Sequence, residues 1–300
     1  MEGIVSLIAG GAYRVFMDSD TLEASLRGRL KHAGGKQIVV GDRVSLERHQ
    51  DGGFTIESRL ERRNQLERRS PGRSRGTRVV AANIDRIFVI GSARQPDWDN
   101  QLIDRFLAVA EVNQIPPVIV INKADLDPQA SVHGEPYRRI GYEVLVTSIP
   151  LNQSIDELRA MATGRVSLFT GSTGVGKSSL LNALEPGLAL RTGAVSKRAG
   201  LGRHTTVAAE MFRIADGGFV VDTPGLRDIG LWALEPGEVG AAFPEISSLA
   251  DACRFDDCRH LHEPDCAVIA ASERGDVAPS RLHSYRRFLE EARQAVPPWG

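Results

Sequence analysis

The chain has 300 residues, of which 42% are hydrophobic and 25% charged, a balance typical of folded globular proteins and long enough for two or three domains. No apolar run reaches the roughly 18 residues that suggest a membrane span. The amino terminus also lacks the basic lead and long apolar core of a secretory signal, so a cytosolic protein without a membrane partner is expected.

The charge is unevenly distributed, although the formal net charge is only −1. Residues 1–81 carry 15 Lys or Arg and 10 Asp or Glu, whereas the remainder carries 22 and 28. An excess of cations at one end favours a polyanionic partner for that end. A basic, solvated surface without a partner is the alternative.

The first 80 residues have the sequence pattern of a small β-barrel. Four short segments, beginning at residues 11, 22, 37 and 52, are punctuated by Gly pairs. Short strands joined by Gly-rich turns are typical of such barrels. An Arg-rich linker follows, with eight arginines from Arg59 to Arg78.

Residues 81–230 alternate apolar strands with helical stretches. The predicted strands are IDRIFVI (84–90), PPVIVIN (116–122), YEVLVTS (142–148), RVSLFTG (165–171) and GFVVDTPG (218–225). Residues 100–112 place apolar side chains on one face of a helix. This rhythm predicts an α/β fold whose mostly parallel sheet has helices on both faces.

GSTGVGKSS follows one of these strands and leads into a helical stretch, which is the context that a phosphate-binding loop requires. Backbone N–H groups of such a loop cradle phosphate oxygens. Lys177 can reach the β and γ phosphates, and Ser178 can ligate Mg²⁺. A Gly-rich turn that binds nothing is the alternative. The predicted phosphate-binding residues are Gly171, Ser172, Thr173, Gly174, Val175, Gly176, Lys177, Ser178 and Ser179.

FVVDTPG supplies a second phosphate element. Asp222 is predicted to hold Mg²⁺ through its water shell, and the Gly225 N–H to meet the γ-phosphate. Thr205 and Thr206 lie between this element and the phosphate loop. Thr206 is favoured as a further Mg²⁺ ligand.

NKAD follows another predicted strand directly and indicates guanine as the base. The Asp125 carboxylate can accept from both N1–H and the exocyclic amine of guanine, a pair of donors that adenine does not offer. Asn122 supports the same site, and the stem of Lys123 can lie along the base plane. Thr147 and Ser148 occupy the position of a base-supporting loop. A polar turn at a strand end is the alternative for this tetrad.

These motifs occur in a cyclically shifted order, because the base tetrad precedes the phosphate loop. Such a shift leaves a site intact, since domain termini lie near each other at the surface. The sequence therefore predicts a circularly permuted GTPase.

Residues 231–300 contain every cysteine of the chain, in the pattern C-x₄-C-x-H-x₅-C. Three thiolates and one imidazole suit a closed tetrahedral Zn²⁺ site with a structural role. Cys253, Cys258 and Cys266 are the expected thiolates, and His260 or His262 is the fourth ligand. Reduced buried cysteines and a redox switch are the alternatives.

The permuted motifs, preceded by GAYRV, LRGRL and VVGDRV and followed by this Cys/His cluster, resemble the RsgA (YjeQ) family over nearly the whole chain. The resemblance implies an OB-fold domain at 1–80, a permuted GTPase domain at 81–230 and a helical zinc domain at 231–300. It also implies His260 as the zinc ligand. A role in late maturation of the 30S ribosomal subunit, with hydrolysis stimulated by that subunit, is implied as well.

Leu226 stands where many GTPases carry a glutamine that orients the attacking water. Slow intrinsic hydrolysis is therefore expected. His204 is predicted to position the water instead, a role that the resemblance supports, and Lys177 to stabilise the developing charge. An exposed loop histidine without a role is the alternative.

The expected protein is a monomeric GTPase that cycles between GTP and GDP and binds 16S rRNA of the 30S subunit. The barrel and the Arg-rich linker would contact phosphates. An RNA-binding scaffold with incidental turnover is one alternative. A permuted GTPase of the large subunit and a generic ATPase are two others.

Overall fold

The structure, a computed structural model, describes residues 1–28, 38–69, 77–188, 209–222 and 234–295. The strands in these ranges are β1 (Glu2–Ala9), β2 (Ala12–Met17), β3 (Asp20–Leu26), β4 (Arg43–Arg48), β5 (Phe54–Arg59), β6 (Gln65–Arg69), β7 (Thr77–Ala82), β8 (Arg86–Ser92), β9 (Pro117–Asn122), β10 (Glu143–Val146), β11 (Val166–Thr170), β12 (Glu210–Arg213) and β13 (Phe219–Asp222). The α-helices are α1 (Asn100–Val112), α2 (Glu135–Arg138), α3 (Ile155–Ala162), α4 (Lys177–Leu184), α5 (Pro236–Ala241), α6 (Pro244–Ser247), α7 (Ala267–Arg274) and α8 (Pro279–Ala295). Among them, none is long and apolar enough to cross a membrane.

Strands β1 to β5 close into a barrel, because β1 pairs antiparallel with both β2 and β4. Alternate side chains point inward and form a small apolar core that includes Val5, Val15, Val44 and Ile56. The predicted OB-like barrel is therefore confirmed.

The α/β region contains the predicted sheet, in the order β10-β9-β8-β11-β13-β12. Neighbouring strands are parallel except for the antiparallel pair of β12 and β13. Along β8, Ile87 and Val89 face a core shared with α1, whereas Phe88 and Ile90 face a core shared with α3 and α4. Helices therefore cover both faces, as predicted.

The barrel and the α/β sheet share hydrogen bonds through β1 and β12, where Leu7 pairs with Glu210. Next to this junction, Phe16 stacks on Phe219 with ring centroids 5.5 Å apart, and the Arg213 guanidinium lies 4.6 Å from the Phe16 ring. Neither strand is among those predicted above. The two regions are thus joined by one continuous eleven-stranded sheet.

The Arg-rich segment is more than the predicted linker. Strands β6 and β7 within it form an antiparallel hairpin, and residues 70–76 lie outside the described ranges. At its start, Arg62 makes a two-point contact with the buried Asp42, with N–O distances of 2.6 and 2.8 Å. This bidentate ion pair ties the segment to the barrel.

Helices α5 to α8 form a separate apolar core around Phe243, Ile246, Tyr285 and Phe288, to which Ala108 of α1 contributes. The predicted helical C-terminal domain is therefore confirmed, and it rests on the α/β region through α1.

A buried charge network lies in this contact. The Arg281 side chain, 1% exposed, donates to Asp104 of α1 at 2.8 Å and to both carboxylate oxygens of Glu245 at 2.7 and 3.1 Å. Its guanidinium also lies 4.4 Å from the Phe243 ring. Burial raises the pKa of Asp104, and the adjacent Arg281 opposes that shift. Removing Arg281 would leave two carboxylates in this buried contact without their cation.

Arg281→Met is expected to lower the free energy of unfolding by about 3–5 kcal/mol, since one partner of a buried ion pair is lost. The measurement is denaturant unfolding in which hydrogen exchange of residues 234–295 reports the loss of structure. Arg274→Met is the matched control, because Arg274 makes only an exposed pair with Asp276, worth less than about 1 kcal/mol. Equal losses in the two variants would contradict the expectation.

Candidate functional site

The carboxyl ends of four parallel strands meet at one edge of the α/β sheet. Strand β11 lies between β8 and β13, and β9 lies beyond β8. Asn122 ends β9 and Asp222 ends β13, with Thr170 ending β11 between them. Polar groups from distant parts of the sequence are therefore gathered at the edge where open α/β sheets bind ligands.

The loop from Gly171 to Gly176 turns the chain from β11 into α4. Gly171 has φ 146°, and a Cβ there would lie 2.1 Å from the Ile90 carbonyl oxygen. Val175 is buried and anchors the loop in the core. Lys177 begins α4, and its Nζ donates to the carbonyls of Gly171 and Ser172 at 2.6 Å each. Of the other predicted phosphate residues, Thr173 and Gly174 are exposed, and Ser178 and Ser179 lie in the first turn of α4.

The base tetrad is bonded directly to this loop. The buried Asn122 donates from Nδ2 to the Val175 carbonyl at 2.9 Å, and the Lys123 Nζ donates to the Gly174 carbonyl at 2.6 Å. A Cβ at Gly176 would lie 2.3 Å from Asn122 Nδ2, so this approach requires glycine. The two motifs, some fifty positions apart in sequence, are therefore in contact.

The loop after β10 holds the tetrad from the other side. Thr147 Oγ1 donates to Asn122 Oδ1 at 3.1 Å, and Ser148 Oγ donates to Asp125 Oδ1 at 2.6 Å. Thr147 and Ser148 are fully buried, whereas Asp125 is exposed. The Asp125 carboxylate is thus fixed in orientation while it faces solvent.

Some predicted residues fall outside this description. Asp222, half-buried at the end of β13, is the last described residue before a gap. His204, Thr206, Gly225 and Leu226 lie outside the described residues.

One participant was not predicted. The Lys123 Nζ also donates to the carbonyl of Gln95, in the loop after β8. A backbone carbonyl leaves no signature in sequence, because any residue can supply it.

The four predicted metal ligands of the C-terminal region converge. One donor atom from each of Cys253, Cys258, His260 and Cys266 lies within 4.8 Å of all the others. The His260 Nδ1 is 3.6, 3.5 and 3.3 Å from the three sulfurs, in that order. His260 therefore belongs to the cluster, whereas His262 is exposed. These four residues could hold one metal ion.

Side chains around the cluster fix its loops. Arg286 of α8 donates to the His260 carbonyl at 2.8 Å. The Glu263 carboxylate accepts from the N–H groups of Arg259, Leu261 and His262. Burial raises the pKa of Glu263, but its own N–H and these three donors outweigh burial and bring the pKa to about 2. The loop is therefore braced by a carboxylate that is charged at neutral pH.

The chain is similar to known proteins over most of its length. The model of the RsgA GTPase family matches residues 59–232. Proteins named small ribosomal subunit biogenesis GTPase RsgA are 45% identical in Gemmatimonas aurantiaca and 42% in Moorella thermoacetica, covering 96% and 97% of both chains.

Two solved structures share the fold. YjeQ from Thermotoga maritima is 33% identical with a TM-score of 0.79, covering 97% of this chain and 98% of that one. YloQ, described as a circularly permuted GTPase, is 28% identical with a TM-score of 0.77, covering 99% and 96%. The chain therefore belongs to the RsgA GTPase family and has the fold of a circularly permuted GTPase.

Proposed function

We propose that the chain binds GTP at the carboxyl edge of its sheet and hydrolyses it during maturation of the small ribosomal subunit. The observation that carries this proposal is the pair of hydrogen bonds from Asn122 and Lys123 to the phosphate loop. They link a guanine-reading tetrad to a phosphate loop at one site. The names of the relatives in Gemmatimonas and Moorella supply the ribosomal context.

We infer the following roles for the predicted site residues. Asp125 reads the base, and the N–H groups from Gly171 to Ser179, together with that of Gly225, hold the phosphates. Ser178, Thr206 and Asp222 would hold Mg²⁺, which neutralises phosphate charge when bound. Lys177 stabilises the charge that develops on the γ-phosphate oxygens as water attacks.

His204 orients that water, since Leu226 cannot form a hydrogen bond to it. We infer that His204 acts when the small ribosomal subunit is bound, so hydrolysis depends on the subunit. This dependence gives a direct test of the function.

Zinc is the proposed metal of the Cys₃His cluster. Zn–S and Zn–N bonds of about 2.3 and 2.0 Å place tetrahedral ligand atoms roughly 3.5–3.8 Å apart. The distances from His260 Nδ1 to the sulfurs and the 3.9 Å between the sulfurs of Cys253 and Cys266 agree with that geometry. Four protein ligands leave no open position, so the ion is structural.

The proposed partner is 16S rRNA of the 30S subunit, bound by a monomer in the cytoplasm, where subunits mature. The barrel and the hairpin of the Arg-rich segment would present cations to phosphates. The domains are proposed to span 1–80, 81–230 and 231–300.

The rate of GTP hydrolysis is expected to rise by at least about 100-fold when 30S subunits are added. His204→Ala is expected to lower that stimulated rate by about 100-fold and to leave the affinity for GDP unchanged. The measurement is single-turnover hydrolysis against subunit concentration. Arg274→Ala, at an exposed surface pair, should behave as wild type.

Equal stimulation by 50S subunits would point to the large subunit instead. Binding of 30S subunits without any acceleration of hydrolysis would favour the RNA-binding scaffold. The leucine at position 226 is the feature that supports this alternative, because it cannot orient the attacking water. Full stimulation in His204→Ala would remove that histidine from the mechanism.

A further inference from the structure

The loop after β8, residues 93–99, packs on both halves of the proposed guanine site. Its Gln95 carbonyl accepts from Lys123 Nζ, and a Cβ on Gly174 would lie 3.5 Å from Pro96 Cδ. The buried Ser92 donates to the Pro96 carbonyl at 2.6 Å and fixes the turn from within. The Lys123 ammonium is therefore shared between this loop and the phosphate loop.

The segment that follows the base tetrad also contacts this loop, through an ion pair between Asp127 and Arg94. Asp127, two residues after Asp125, has Oδ2 at 3.4 Å from Arg94 Nε. Its Oδ1 accepts from the Gln129 N–H at 2.9 Å, which fixes the carboxylate on its own backbone. The Gln129 N–H foremost, with Arg94 and His133, keeps the pKa of Asp127 below its usual value despite burial. Asp127 is thus a rigid, charged anchor for Arg94.

A second contact fixes the far end of the loop. The Trp98 ring stacks on His133 with centroids 5.4 Å apart and planes 14° apart. Trp98 also covers Gly91, where a Cβ would lie 2.5 Å from the indole. The loop is therefore held by ring packing at Trp98 and by the ion pair to Asp127 at Arg94.

We propose that Arg94 and Asp127 are positioning residues for guanine nucleotides. Their ion pair holds the Gln95 carbonyl against the Lys123 ammonium, so the stem of Lys123 is already in place when the base arrives. Neither residue is among those proposed to contact the γ-phosphate or the attacking water. The pair therefore contributes to nucleotide affinity and leaves the chemical step alone. This inference rests on the proposed function of the site.

Arg94→Ala and Asp127→Asn are expected to raise the Kd for GDP and the KM for GTP about fivefold with kcat unchanged. Asparagine keeps the Oδ1 acceptor for Gln129 and removes only the charge. Arg94→Lys should recover most of the affinity. The measurements are calorimetric titration with GDP and steady-state hydrolysis with 30S subunits, with Arg274→Ala as the surface control.

The decisive comparison uses Lys123→Ala as a second background. Because Arg94 acts through Lys123, Arg94→Ala should cost nothing further there. An equal loss in both backgrounds, or wild-type affinity in Arg94→Ala, would overturn the positioning role while leaving the GTP site intact. A wild-type protein that binds no guanine nucleotide would instead refute the proposed function, and this inference with it.

Discussion

Asp125→Asn is expected to change the preference for GTP over xanthosine triphosphate by about 10,000-fold, from GTP toward the xanthine nucleotide. Asn offers one acceptor and one donor, so it matches N1–H and O2 of xanthine and opposes the exocyclic amine of guanine. For guanine the hydrogen bond from the exocyclic amine to a charged group is lost, and for xanthine a hydrogen bond to O2 is gained. At about 3 kcal/mol each, the upper end for a bond to a charged group, each change is roughly 100-fold. The measurement is kcat/KM for both nucleotides with 30S subunits.

The carboxylate is well placed for this exchange, because Ser148 fixes Asp125 Oδ1 at 2.6 Å and an asparagine oxygen can accept the same bond. Asp127→Asn is the matched control, since it removes a nearby carboxylate that does not read the base. It should weaken both nucleotides equally. An Asp125→Asn variant that kept its preference for GTP would show that another group selects the base.

The nucleotide site was predictable from sequence because its chemistry resides in side-chain identity and local spacing. A strand followed by NKAD or by a glycine-rich lysine loop specifies which groups appear at a strand end, whatever the order of the motifs. The contact between Asn122 and the Val175 carbonyl follows once both strands lie in one parallel sheet. Permutation changes the connections between strands and leaves their ends together.

The remaining features depend on contacts that no local pattern encodes. The Gln95 carbonyl is a backbone group, which has no sequence signature. The ion pair of Arg94 is evident only once the fold brings Asp127 beside it. The pairing of β1 with β12 joins residues some two hundred positions apart. One signal was available in the sequence, the position of Asp104 on the helix predicted at 100–112. Ala108, one turn later on the same helix face, packs on the C-terminal helices. An acid on that face indicates a buried partner, which is Arg281.

The Cys₃His cluster determines how the C-terminal helices are held. Cys266 is the N-cap residue of α7, and the His260 carbonyl accepts from Arg286 of α8. The His260 ring also lies against Tyr285, with centroids 5.7 Å apart. A metal ion at this point therefore connects the loop from Cys253 to both helices. We therefore expect a bound ion to contribute to the stability of this domain by holding these three elements together.

Removal of the metal by chelation, or Cys258→Ser, is expected to lower hydrogen-exchange protection in residues 234–295 by at least about 1,000-fold. Structural zinc sites supply on the order of 10 kcal/mol to folding, more than a small helical domain has in reserve. The barrel strands should keep their protection, because their core is separate. His262→Ala is the matched control, since this exposed histidine lies in the same loop and outside the cluster. Unchanged protection after metal removal would show that the helical core is stable alone and that the cluster has another role.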